Sequence, residues 1–115
     1  MTKVKYGLKE KRREALLANL EELKKKLSLY KPKKVLLFGS LARDQVHSRS
    51  DLDLLIIKKE VPKRFLDRLE EVYALLSPAI DTDILVYTPE EIEKLKEKNP
   101  LIKRVLKEGL VIYEE

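Results

Sequence analysis

The sequence contains no cysteine, no tryptophan, one histidine and three glycines among its 115 residues. Without cysteine there is no disulfide framework, no thiolate metal site and no cysteine nucleophile. His47 cannot build a multi-histidine zinc centre by itself, and it makes a Ser-His relay a poor fit. Long apolar runs are missing too. The longest stretch free of charge is the nine residues Val72–Ile80, against the ~20 apolar residues of a membrane-spanning helix. Neither a Gly-x-x-x-x-Gly-Lys loop nor a Gly-x-Gly-x-x-Gly turn occurs, which excludes P-loop and dinucleotide-binding architectures. Met1 to Lys11 offers no apolar stretch for a secretory signal, so the expected location is the cytoplasm.

What is present is charge, unevenly spread. Residues 1–34 hold 12 basic and 4 acidic side chains, and residues 35–115 hold 13 and 16, for a net charge of +5. A basic first third suits an acidic partner, a polyphosphate or nucleic acid, and equally a solvated Lys/Glu helix. The length suits one domain over 1–115, large enough to bury roughly two-thirds of its unfolded surface.

Leu16, Leu20, Leu23, Leu27 and Tyr30 recur at spacings of three and four, which predicts a helix from about Leu8 to Leu29, ended by Pro32. Val35–Phe38 reads as a short buried strand broken by Gly39-Ser40, with a brief helix over Leu41–Gln45. Leu52–Ile57 reads as a second strand. Pro62 suits the first turn of a helix whose apolar stripe is Phe65, Leu69, Val72 and Leu76. Ile80–Tyr87 is a third strand. Thr88-Pro89-Glu90-Glu91 is a capping box, Asn99-Pro100 starts a last helix that Gly109 ends, and Leu110–Tyr113 adds an edge strand. The layout is α/β, with one sheet and helices packed on it.

Chemistry concentrates where carboxylates interrupt the strands. Asp51 and Asp53, two apart, point to one face of the second strand with Cα atoms roughly 6.6 Å apart. Asp81 and Asp83 repeat the pattern on the third. Paired carboxylates of this kind hold hard divalent cations for in-line phosphoryl chemistry; the alternative is a strand cap and a salt bridge. Charged side chains inside the strands of a small domain need partners. If the two strands pair, the acids share one cluster whose repulsion a cation would relieve. Gly39 lets the backbone approach a ligand closely, the Ser40 hydroxyl and neighbouring N–H groups suit phosphate, and Arg43 adds positive charge; alone, the pair is also an ordinary turn.

Together, Phe38-Gly39-Ser40-Leu41-Ala42-Arg43 and, ten residues after Ser40, Ser50-Asp51-Leu52-Asp53-Leu54 resemble the signature of the DNA polymerase β-type nucleotidyltransferase superfamily, in its minimal nucleotidyltransferase branch. The resemblance rests on residues 35–91. It implies a polymerase β palm-like fold with a mixed sheet of three to four strands. It also implies transfer of a nucleoside monophosphate, most often AMP from ATP, with two Mg²⁺ ions held by Asp51, Asp53 and Asp83. Counting back from Thr88 selects Asp83 over Asp81 as the third carboxylate. Gly39, Ser40, Arg43 and Ser50 would hold the nucleotide, and pyrophosphate would leave.

Members of this branch typically pair with a helical HEPN ribonuclease, adenylylate one of its tyrosines and act as its antitoxin. Two other readings of the resemblance are an antitoxin that neutralises by binding alone, and a nucleotidyltransferase acting on RNA or a small molecule. Relatives commonly carry glycine after the arginine. Here Asp44 stands there, placing a carboxylate either beside the phosphate site or in solvent.

Overall fold

Leucines spaced three and four apart make a helix only if something covers them, and a sheet does so here. The structure, a computed structural model, describes the backbone of residues 2–115 and the side chains from residue 7 onward. Helix α1 (Thr2–Tyr30) buries Leu16, Leu20, Leu23, Leu27 and Tyr30 in one stripe. It begins earlier than Leu8, at Thr2, because a helix once nucleated on its apolar anchor extends at little cost per added residue. Its end is the left-handed Lys31 (φ 57°), whose N–H donates to the Leu27 carbonyl, followed by Pro32.

The chain then makes β1 (Lys34–Phe38), the single turn α2 (Gly39–Ala42), β2 (Leu52–Ile57), α3 (Phe65–Leu76), β3 (Thr82–Tyr87), α4 (Pro89–Leu95), α5 (Pro100–Glu108) and β4 (Leu110–Glu114). The element order matches the expectation, and the boundaries move. The brief helix starts at Gly39 rather than Leu41. Pro62 lies outside α3: Arg64 is the N-cap, and the Pro62 carbonyl instead accepts from Arg68 Nε at 2.6 Å. Thr88 and Asn99 cap α4 and α5 as their side-chain chemistry predicts, Thr88 within a complete capping box with Glu91.

The four strands run in the order β3-β2-β1-β4. β1 is antiparallel to β2 and β4, while β2 and β3 are parallel, joined by α3. One face carries Val35, Leu37, Leu54, Ile56, Ile84 and Val86 against the stripes of α1 and α3. The other carries Leu36, Leu55 and Ile57 against Ile92, Ile102 and Val105 of α4 and α5. Both faces are therefore covered, which is why β2 reads as an almost unbroken apolar run. Arg68, 5% exposed, crosses between layers: its guanidinium makes a two-pronged ion pair with Glu91 at 2.8 and 3.0 Å and donates to the Val86 carbonyl. Among the described residues no helix is long and apolar enough to cross a membrane.

Candidate active site

Polar residues gather at the sheet end where β1 finishes and β2 and β3 begin. Phe38 pairs with Asp53 across β1 and β2, and Asp53 pairs with Asp83 across β2 and β3. A register match in neighbouring strands puts side chains on one face, so Asp53 and Asp83 project together on the side of α4 and α5. Gly39, at φ 78°, follows directly. A Cβ there would stand 2.0 Å from Asp53 Oδ2, so only glycine allows both the backbone turn and the carboxylate behind it.

Asp53 is half-buried, and burial pushes its carboxyl up to about 6; repulsion from Asp83 and then Asp51 adds to the rise, while Arg43 pulls the other way. At Asp53 the burial and the neighbouring carboxylates together outweigh the pull of Arg43. The donors are all carboxylate oxygens, which in kind suits a hard divalent cation. The expected three-acid cage is not preassembled, however. Among the described residues no three His, Cys, Asp or Glu side chains stand close enough together to hold a metal ion.

Asp51 has a partner of its own. It lies one residue before β2, not within it, and its carboxylate faces Arg12 of α1 at 3.4 Å. Arg12 also donates through Nε to the Ser50 carbonyl at 2.7 Å. Ser50 is buried, and its hydroxyl accepts the His47 N–H within the turn entering β2; it shapes the turn rather than lining the cavity beside Gly39. Asp81 likewise precedes β3, where its carbonyl accepts the Leu52 N–H. Asp81 and Asp83 share a shallow hollow with Asp51 and Tyr73, whose hydroxyl donates to the Thr82 carbonyl.

Asp44 is the residue after the arginine, and its φ of 57° explains why glycine suits that position. Its carboxylate pairs with Arg13, is largely exposed and does not line the cavity beside Gly39. Beside that turn lies a cavity of about 210 Å³ whose lining includes Gly39, Arg43 and Asp53 together with Leu101, Arg104 and Glu108 of α5. Ser40 is half-buried in the first turn of α2 but is not part of that lining. Arg12 and Arg104 were not among the expected site residues. Each lies on a helix, far in sequence from the motif, and nothing local distinguishes it from a surface cation.

Residues 21–115 match the family described as polymerase beta nucleotidyltransferase. A protein of Methanocaldococcus jannaschii, provisionally named a protein adenylyltransferase, is 36% identical over 88 residues, which are 70% of this chain and 57% of that protein. The chain thus spans little more than half the length of this relative. The crystal structure of a protein from Sulfolobus solfataricus, provisionally described as a nucleotidyltransferase, superposes with a TM-score of 0.58 at 21% identity, over 96% of this chain and 86% of that one. At that identity the likeness concerns the fold alone: a mixed four-stranded sheet with helices packed on it. The chain belongs to the polymerase beta nucleotidyltransferase family.

Proposed function

We propose that this protein transfers AMP from ATP to a hydroxyl of a partner protein. The observation that carries the reading is the row Phe38–Asp53–Asp83 with Gly39 directly after Phe38: a glycine turn against two carboxylates at neighbouring strand ends, with an arginine-lined cavity beside them. A turn that admits phosphate next to acids that admit a divalent cation is the minimum that in-line phosphoryl transfer needs. The name of the Methanocaldococcus jannaschii relative supports a protein as the acceptor.

In this reading Asp53 and Asp83 would hold Mg²⁺, joined by Asp51 once its carboxylate leaves Arg12, and the ion would neutralise charge on the phosphates. Gly39, Ser40 and Arg43 hold the β- and γ-phosphates. The acceptor oxygen bonds to the α-phosphorus as the bond to the β-phosphate oxygen breaks. Pyrophosphate leaves, and the hydroxyl proton passes to the Asp83 carboxylate. Asp83 is exposed on the outer strand β3, where an approaching acceptor reaches it. A small catalytic unit has little surface with which to hold a polypeptide in register, so the substrate brings its own docking surface. A helical HEPN ribonuclease silenced on a tyrosine, with this chain as its cytoplasmic antitoxin, fits that requirement.

The test is incubation with ATP labelled in the α-phosphate, Mg²⁺ and the product of the neighbouring gene. AMP on a tyrosine of that protein is the expected result. Label on RNA would redirect the activity to nucleic acid, and binding of the partner without label would leave an antitoxin that works by contact.

A further inference from the structure

The cavity beside Gly39 is not formed by the motif alone. Its opposite wall is α5, and residues 101, 104, 105 and 108 recur there at helical spacing along one face. Gly109 brings this wall close: a Cβ at that position would stand 2.5 Å from the Val105 carbonyl oxygen and 3.3 Å from that of Leu37, so α5 ends pressed onto β1. Two arginines, Arg43 from the residue after α2 and Arg104 from α5, thus line one cavity from different elements.

Neither has a carboxylate partner within ion-pair distance among the described residues, although Asp53 and Glu108 line the same space. Arginines that pass over available acids remain ready for a ligand, and the planar guanidinium matches phosphate in two-pronged geometry. The remaining walls are largely apolar, from Phe38, Ala42, Leu101 and Val105, which strengthens any charge contact made inside.

Resting on the nucleotidyltransferase reading above, we infer that Arg104 of α5 is a ligand of the nucleotide's phosphate tail, clasping it from the side opposite Arg43. The C-terminal helix is then part of the nucleotide site rather than only a cover for the sheet. Glu108, one turn further along the same face, opposes the anion and sets an upper bound on how tightly it is held.

The experiment measures ATP, tripolyphosphate and AMP binding, at constant Mg²⁺, by displacement of a fluorescent ATP analogue. The proteins are the native chain, Arg104→Ala, Arg104→Lys and Glu108→Gln. Loss of a charged hydrogen-bonding contact should weaken ATP and tripolyphosphate about tenfold to a hundredfold in Arg104→Ala, and AMP far less. Arg104→Lys should recover part of the loss, and Glu108→Gln should tighten ATP. Arg104 is exposed, so its melting temperature serves as the folding control. Unchanged ATP affinity in Arg104→Ala, or equal losses for AMP and ATP, overturns the assignment. Native protein that binds none of the three ligands overturns the underlying reading instead.

Discussion

The carboxyl of Asp53 is held in a place that disfavours its charge, and replacing it with asparagine should make the protein more stable near neutral pH. Burial and the neighbouring acids raise this group from its ordinary 3.8 to about 6. Between those values the folded protein binds more protons than the unfolded chain, so stability falls as pH rises through the window. The destabilisation is absent below about 3.8 and complete above about 6. Two pKa units correspond to roughly 3 kcal/mol. Asp53 is only half-buried, and solvent screening reduces the effect to about 1–2 kcal/mol. For a domain of this size, that is a rise in melting temperature of about 4–10 °C. Asp53→Asn and native protein should be melted in EDTA at pH 4.0, 5.0, 6.0 and 7.5. The curves should nearly coincide at pH 4.0 and separate progressively to pH 6, with the variant higher. Mg²⁺ should then raise the native melting temperature and leave that of the variant nearly unchanged. A difference constant across the series would falsify the electrostatic account, and a variant less stable at pH 7.5 would reverse it.

Two further outcomes follow from close contacts. Gly39→Ala sets a Cβ against the Asp53 carboxylate and forces a non-glycine residue to φ 78°, so it should cost about 2–4 kcal/mol in urea unfolding; a loss below 1 kcal/mol would mean that the turn relaxes. Glu91→Ala removes both the partner of buried Arg68 and part of the α4 cap, and should cost about 2 kcal/mol or more at pH 7, discounted for the partial exposure of Glu91. Because Arg68 holds the Glu91 carboxyl below its usual range, the native-to-variant difference should shrink as acid protonates Glu91; a difference independent of pH would assign the effect to packing.

Much of this architecture was legible because the relevant signals are local. The capping box at Thr88 and the proline after Asn99 mark helix starts through bonds between near neighbours. The apolar runs at 35–38 and 52–57 mark strands covered on both faces. The Gly39-Ser40 and Asp51–Asp53 segments meet because β1 and β2 pair antiparallel, bringing Phe38 opposite Asp53. What escaped was long-range. Arg12 reaches Asp51 from a helix rich in lysine and arginine, where one cation looks like the next. Pro62 looked like a helix start, but its carbonyl serves Arg68 and the helix begins at Phe65. Asp44 showed its charge but not its left-handed backbone, which turns that charge toward Arg13.

The contact between Gly39 and Asp53 also bears on how the chain finds its alignment during folding. A strand covered on one face declares its register by alternation, since a slip of one residue would turn apolar side chains to water. β2 has no such safeguard, because Leu54, Leu55 and Ile56 are fully buried whichever way they point. A shifted pairing with β1 would exchange one apolar side chain for another at little cost along most of its length. It would also carry the Asp53 carboxylate away from the notch that Gly39 leaves open and into a wall of leucine and isoleucine. The acid and the missing Cβ thus work as an alignment key for the central strands. A variant that replaces Asp53 with leucine would lose more than a ligand: it would remove the penalty that tells the native pairing from its neighbours.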